Sequence, residues 1–412
     1  MTAAPFRGQP SVMQRGNQSA LAATVSIVVG LTGCGPGQHD AFTMPIPPET
    51  EVIEHLPVSD AERRGRAIAA RRELVISGTG PEAEEIFLQV TDLAVDASGS
   101  IYVYDAGRFT VEEFTSEGAH VHTYGGREGQ GPGDLGSSGQ IAVVADRLMY
   151  VEASRFNTWD LGTRSLSAAG RLPGSRVRHA HGTDSGEVVV AFGRSLPGGE
   201  VGWGITSFDT DGTQLAQYAV LQQPGFIYLE HRDVGSWTSI NTWISRGEAD
   251  VVVARSSEVY LTQGDRYEVL SLDVDGSARW ALRVDWPREA LTETDIERGK
   301  ADAAAGGSDI RGYTADWPDL MPALSVLENR QGTRGHPIRV DGHGNLYVFP
   351  FVRGAPEQRL VDVYSADGER LFAGVMPNVS WVASRGDHLY GIETGPSGDQ
   401  RVVRYRLELP FR

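Results

Sequence analysis

Six short stretches between residues 96 and 391 repeat one arrangement of polar and hydrophobic positions: a polar turn, often with Asp and Gly, then a cluster of β-formers. They begin at Asp96, Asp146, Asp184, Arg255, Asp341 and Arg385, and each is followed by a second hydrophobic beat, at Phe114, Trp159, Phe208, Leu272, Tyr364 and Tyr405. Four of those beats run into an acid–glycine pair: Glu117-Gly118, Asp211-Gly212, Asp275-Gly276 and Asp367-Gly368. Such a pair suits a tight hairpin, because glycine takes positive φ without steric cost. A unit of this size cannot bury both of its faces alone, but six arranged radially pack face to face around an axis. The pattern predicts an all-β chain folded as a six-bladed β-propeller, with a repeat of about forty residues per four-stranded blade. A seventh blade hidden in the longest gap is the nearest alternative. The two long gaps predict insertions at about 224–248 and 288–330, the second opening on a short helix capped by Thr292 with Asp295 three residues on. Leu74–Gly78 is expected to pair with the last strand, Arg401–Leu407, so that N- and C-terminal strands close the last blade and remove a sheet edge.

The first blade, from Val90-Thr-Asp92-Leu-Ala-Val-Asp96 through Tyr104-Asp105-Ala-Gly107, ends in Tyr124-Gly125-Gly-Arg127-Glu-Gly129-Gln-Gly131-Pro132-Gly133-Asp134-Leu135. This resembles the six-bladed β-propeller lipoproteins related to NHL-repeat proteins, whose first blade ends in a Gly-rich turn of the form GRxGxGPGxF; Leu135 stands where that pattern has an aromatic. The resemblance implies the fold and export, and hands over no single activity.

The chain start fits export. Ala20–Thr32 is apolar but too short to span a bilayer as a helix, Arg7 and Arg15 precede it, and no acid occurs before Asp40. The run ends Leu31-Thr32-Gly33-Cys34, which looks like a bacterial lipobox: small residues for the signal peptidase, then a thiol to take the lipid. The expected layout is a signal peptide at 1–33, the lipidated Cys34 and a Pro-rich tether over 34–72, and the propeller over 73–412. A start at Met13 would give a more typical leader than one at Met1. The charged stretch 60–73 reads as a solvated face. Gly35 lacks the acid associated with inner-membrane retention, so the expectation is an anchor in the outer membrane, facing the periplasm or the cell surface.

Composition then narrows the function. Of 412 residues 40% are hydrophobic, enough for a sizeable core, and the formal charge of −17 disfavours nucleic-acid or anionic-membrane surface binding. The single cysteine excludes intrachain disulfides and Cys-rich zinc modules.

Candidate chemistry is sparse. His120/His122 and His179/His181 are His-x-His pairs, and on a strand residues i and i+2 share a face, so each pair suits a divalent metal with a third ligand. His179/His181 is the better pair, since it precedes Asp184 where an innermost strand should approach the channel, although Arg176 and Arg178 beside it work against a cation. Lactonases and amidating lyases of propeller form arrange His, Glu, Asn or Asp on inner strands around a central metal, and no such set is evident here at one repeated blade position. Gly129–Gly133 lacks the Lys-Ser/Thr ending of a P-loop. Trp237 and Trp243 on the first insertion are candidate anchors for a partner, alongside Arg178, His179 and His181 as a candidate binding set; an outer strand of the third blade is the plainer reading of that insertion. The favoured function is a non-catalytic binding scaffold for a protein or glycan, with no cofactor expected; the alternative is a metal-assisted hydrolase or lyase, with residues 288–330 as a lid.

Overall fold

The computed structural model describes residues 46–411 except 80–84, 174–175, 196–200, 223–225, 231–236, 242–249, 264–265, 274, 288, 291, 296, 298–326, 328–335 and 352–357. Six antiparallel sheets of four strands are the blades of a β-propeller. Blade 1 holds Val90–Val95, Ile101–Asp105, Thr110–Phe114 and His120–Gly125; blade 2 holds Gln140–Val144, Arg147–Glu152, Arg155–Asp160 and Ser165–Arg171. Blade 3 holds Val177–Gly182, Val188–Ser195, Val201–Phe208 and Gln214–Gln222; blade 4 holds Asp250–Val253, Val259–Thr262, Glu268–Leu272 and Ala278–Val284. Blade 5 holds Ile338–Val340, Leu346–Val348, Gln358–Tyr364 and Arg370–Pro377. Blade 6 takes Ala383–Arg385, His388–Thr394 and Gln400–Glu408 from the end of the chain and Ala69–Ile76 from before blade 1. That last pairing includes Leu74↔Arg404 and Ile76↔Val402, the expected closing seam.

The first strands of successive blades neighbour one another around the axis. The six repeated β-former clusters prove to be second strands and the later beats third strands. Their apolar residues fill six clusters, one between each pair of neighbouring blades. In blade 2, Ile141 and Val143 face blade 1 while Ala142 and Val144 face blade 3, so both faces of the strand are buried. This explains why these strands read as continuous apolar runs. The acid–glycine pairs form tight turns between third and fourth strands, with φ of +87° at Gly118 and +81° at Gly212.

The segment before blade 6 departs from expectation. Glu51–His55 adds a fifth strand to blade 4, parallel to Ala278–Val284, with Ile53 opposite Leu282. Asp60–Arg64 then forms a short helix, capped reciprocally by Ser59 and Glu62. Next, Arg66 and Ile68 exchange backbone hydrogen bonds with Val375 on the outer strand of blade 5. The stretch read as a solvated face therefore holds Arg63, 0% exposed and paired with Asp362 of blade 5 at 2.5 and 2.8 Å. Residues 51–76 thus form a strap across the outer edges of blades 4, 5 and 6, which covers edges open to stray pairing. The first insertion contributes a two-stranded hairpin, Phe226–Glu230 with Trp237–Asn241, separate from blade 3, which has its own outer strand. Thr292 and Asp295 form the expected reciprocal cap, at 2.9 Å from Thr292 N and 3.3 Å from Asp295 N; most of 288–330 lies outside the described residues. No helix among the described residues is long and apolar enough to cross a membrane.

Candidate functional site

The propeller has two unlike ends. At one, the turns between first and second strands and between third and fourth strands are tight. At the other, the chain passes from an outer strand to the next first strand by connections of five residues and more, and the two longest, 223–249 and 285–337, end at Asp250 and Ile338.

Asp250 opens the first strand of blade 4, and its carboxylate is fully buried. His336 lies two residues before the first strand of blade 5 and sets Nδ1 3.1 Å from both Asp250 oxygens. His179, on the first strand of blade 3, places Nε2 3.1 Å from Asp250 Oδ1. The three side chains come from three blades and each offers a ligand atom, all within 4.8 Å of one another. Around a tetrahedral ion with bonds of about 2.0 Å, ligand atoms lie about 3.3 Å apart; the two Asp250–His distances of 3.1 Å match that spacing, and the set as a whole, spread over up to 4.8 Å, would have to draw in to close on an ion. His181 stacks against His179 with ring centroids 5.8 Å apart, and its Nε2 is buried with no hydrogen-bond partner.

Electrostatics suit a ligand set. Burial holds His179 and His181 down to about 4, so both imidazoles are neutral near pH 7 with a nitrogen lone pair available. Burial pushes the Asp250 carboxyl up, but the hydrogen bond with His179 and the charges of Arg339 and Arg178 pull it below its ordinary value, so the group is ionised near pH 7. The arginines are themselves positioned. Arg339 donates Nε to the Trp381 carbonyl at 3.0 Å, and Arg359 donates to the His336 carbonyl at 3.3 Å while stacking 3.7 Å over Phe349. Arg178 lies over Trp203 at 5.2 Å with Nε 3.3 Å from His179 Nε2.

Sequence reasoning located His179 and His181 on an innermost strand but missed Asp250 and His336. Nor did it see that the set recurs. The tight turn after each first strand begins at Thr183, Ala254 and Asp341. His179 and Asp250 each stand four residues before that point and His336 five before it. The equivalent acid of blade 1, Asp92, accepts the Ile141 backbone N–H at 2.8 Å. The three residues share a phase rather than one strict blade position: they mix residue types and slip by one residue in blade 5, which hides them from a search for identical residues.

The other candidates have structural partners or lie elsewhere. His120 and His122 sit on the outer strand of blade 1, His120 bonded to Glu112 at 2.8 Å and His122 packed edge-on against Tyr124 at 4.7 Å. The Gly-rich loop folds onto blade 2, where Asn157 ties down Gly133 N and the Asp134 carbonyl and fully buried Leu135 fills the space between blades 1 and 2. Beside it a groove of about 640 Å³ opens between this loop and Glu152–Asn157. Trp237 opens the second strand of the insertion hairpin; Trp243 and Cys34 lie outside the described residues.

No protein-family model matches the chain, and no curated protein does. Among solved structures it is similar to a Bacteroides fragilis protein inferred to be exported, at 9% identity and a TM-score of 0.48, covering 87% of this chain and all of that one. It is also similar to regucalcin, a calcium-binding protein of Agrobacterium tumefaciens, at 12% identity and a TM-score of 0.39, covering 82% of this chain and 96% of that one.

Proposed function

We propose that this propeller holds a divalent transition-metal ion between His179, Asp250 and His336 and performs metal-assisted hydrolysis or elimination at the channel mouth. The observation that carries this reading is the convergence of two imidazoles and one buried carboxylate, from three different blades, at hydrogen-bond spacing. Two nitrogens and one oxygen favour zinc-class ions over calcium, which takes six to eight oxygen ligands. Three protein ligands also leave coordination positions for water and substrate. When bound, such an ion supplies Lewis acidity toward a carbonyl and lowers the pKa of water. The chain contributes the rest: three blades bring the donors together, Arg339 and Arg178 help keep Asp250 ionised, and burial keeps His179 neutral.

A second reading, a non-catalytic scaffold for a protein or glycan partner, is favoured by one observation: both histidines already hydrogen-bond Asp250, so the cluster is satisfied without an ion. Metal analysis of protein purified without chelator separates the two. About one zinc-class ion per chain, lost in His336→Ala together with turnover of lactone, ester or peptide substrates, supports the first. Metal-free, inactive protein leaves the scaffold.

For location, the lipobox at Leu31–Cys34 supports export and a lipid anchor at Cys34, with the outer membrane as the expected site. Cys34→Ser should abolish palmitate labelling, and unchanged labelling refutes the anchor.

A further inference from the structure

The tight-turn end of the channel carries a second arrangement of charge, separate from the histidine cluster. Arg255, in the turn of blade 4, reaches across the axis to the Val95 carbonyl of blade 1. Its Nη1 lies 3.7 Å from Oδ1 of Asp184 in blade 3, and Arg385 Nη1 of blade 6 lies 3.6 Å from that same oxygen. Two guanidinium groups therefore converge on one carboxylate oxygen, and neither comes within hydrogen-bond distance of it. The arginine side chains are recessed, 24% and 27% exposed, while Asp184 is 62% exposed. The nearby carboxylate of Asp96 is already engaged by the Ser98 N–H and hydroxyl at 2.8 and 2.7 Å and by the Ser100 N–H at 2.9 Å.

The backbone here is also unusual. The corresponding turns of blades 1, 3 and 5 place glycine at positive φ, at Gly99, Gly186 and Gly344; blade 4 places Ser257 there, at φ +84°. A non-glycine residue in that region costs of order 1 kcal/mol and tends to mark a functional constraint. Ser257 bonds the Ser185 hydroxyl at 2.9 Å, Ser185 being next to Asp184 and Ser257 two residues after Arg255 in sequence.

The geometry points to an oxyanion site on the propeller axis, in which a phosphate- or carboxylate-bearing small molecule puts one oxygen between Arg255 and Arg385 in place of Asp184 Oδ1. Burial and the neighbouring Arg385 lower the Arg255 pKa, and Asp184 and Asp96 offset only part of that. Paired guanidiniums are well matched to oxyanions through charge-assisted hydrogen bonds. The recessed position favours a dissolved anion over a headgroup in a bilayer.

The test is a titration of the full-length protein, followed by thermal shift and calorimetry, with inorganic phosphate, acetate and chloride in separate arms. Chelator is present so that the histidine cluster holds no metal. Expected is saturable binding of phosphate or acetate but not chloride, at least tenfold weaker in Arg385→Ala and several-fold tighter in Asp184→Asn. Which anion saturates at lower concentration decides between phosphate and carboxylate. Should Arg385→Ala fail to fold, Arg385→Gln and the gain in Asp184→Asn carry the test. Absence of saturable binding in the parent protein, or an affinity unchanged in the arginine and Asp184 variants, overturns the proposal.

Discussion

Removing Arg63 should unseat the strap from blade 5. Its guanidinium is 0% exposed, bonds both Asp362 oxygens at 2.5 and 2.8 Å, donates Nε to the Val58 carbonyl at 3.0 Å and packs 5.0 Å over Trp286. Arg63→Ala leaves Asp362, also fully buried, with the Tyr267 hydroxyl at 2.5 Å as its remaining side-chain hydrogen bond among the described residues. Deleting one partner of a buried pair costs about 3–5 kcal/mol, because the remaining charge is left uncompensated in a poorly polarisable interior. The pair's net worth is much smaller, since desolvation offsets most of the attraction. The double variant Arg63→Met/Asp362→Leu should therefore recover most of the loss, to within about 1–2 kcal/mol of the parent. Urea unfolding at pH 7 measures both, and limited proteolysis reports whether the bonds around residues 56–66 become cleavable. A single-variant loss under about 1 kcal/mol, or a double variant as unstable as the single, would refute the reasoning.

Two further outcomes follow from the packing and the charges. Leu135→Ala should cost about 2–5 kcal/mol in urea unfolding, since Leu135 is 0% exposed between blades 1 and 2; a loss near zero would mean that the Gly-rich loop does not anchor that interface. Without metal, acid should destabilise the protein well above the carboxylate range: His179 and His181 titrate near 4 when folded and near 6.5 when unfolded. The unfolded chain therefore binds protons first as pH falls from about 6.5 to 4, and stability drops by about 1.4 kcal/mol per pH unit for each histidine. Urea midpoints at pH 7, 6 and 5 in chelator check this, and a midpoint flat across that range contradicts it.

The fold was legible because its determinants are local and repeated. Each second strand follows a polar turn, each third strand ends near an aromatic or leucine, and the acid–glycine hairpins announce themselves within four residues. The strap was not legible for the opposite reason. Glu51–His55 carries two acids and Arg63 sits among charges, and what turns both inward are partners more than two hundred residues away: Trp280 to Val284 for the strand, Asp362 for the arginine. A mixed-charge helix turn normally solvates its cations, and here one has instead been turned inward to meet a buried carboxylate.

The histidine cluster lies between these cases. His179 and His181 were visible as a strand pair, but Asp250 and His336 each emerge from a long connection, where nothing local separates a ligand from an ordinary polar residue. What identifies them is phase within the repeat, four or five residues before the tight turn. The same phase within the repeat serves different ends in different blades. Asp92 in blade 1 uses it to hold the backbone of blade 2, whereas blades 3, 4 and 5 use it to gather imidazoles and a carboxylate. The two ends of the channel also differ. The tight-turn end is bridged by Arg255, Asp184 and Arg385, while the end where the connections 223–249 and 285–337 enter carries the candidate metal-ligand set.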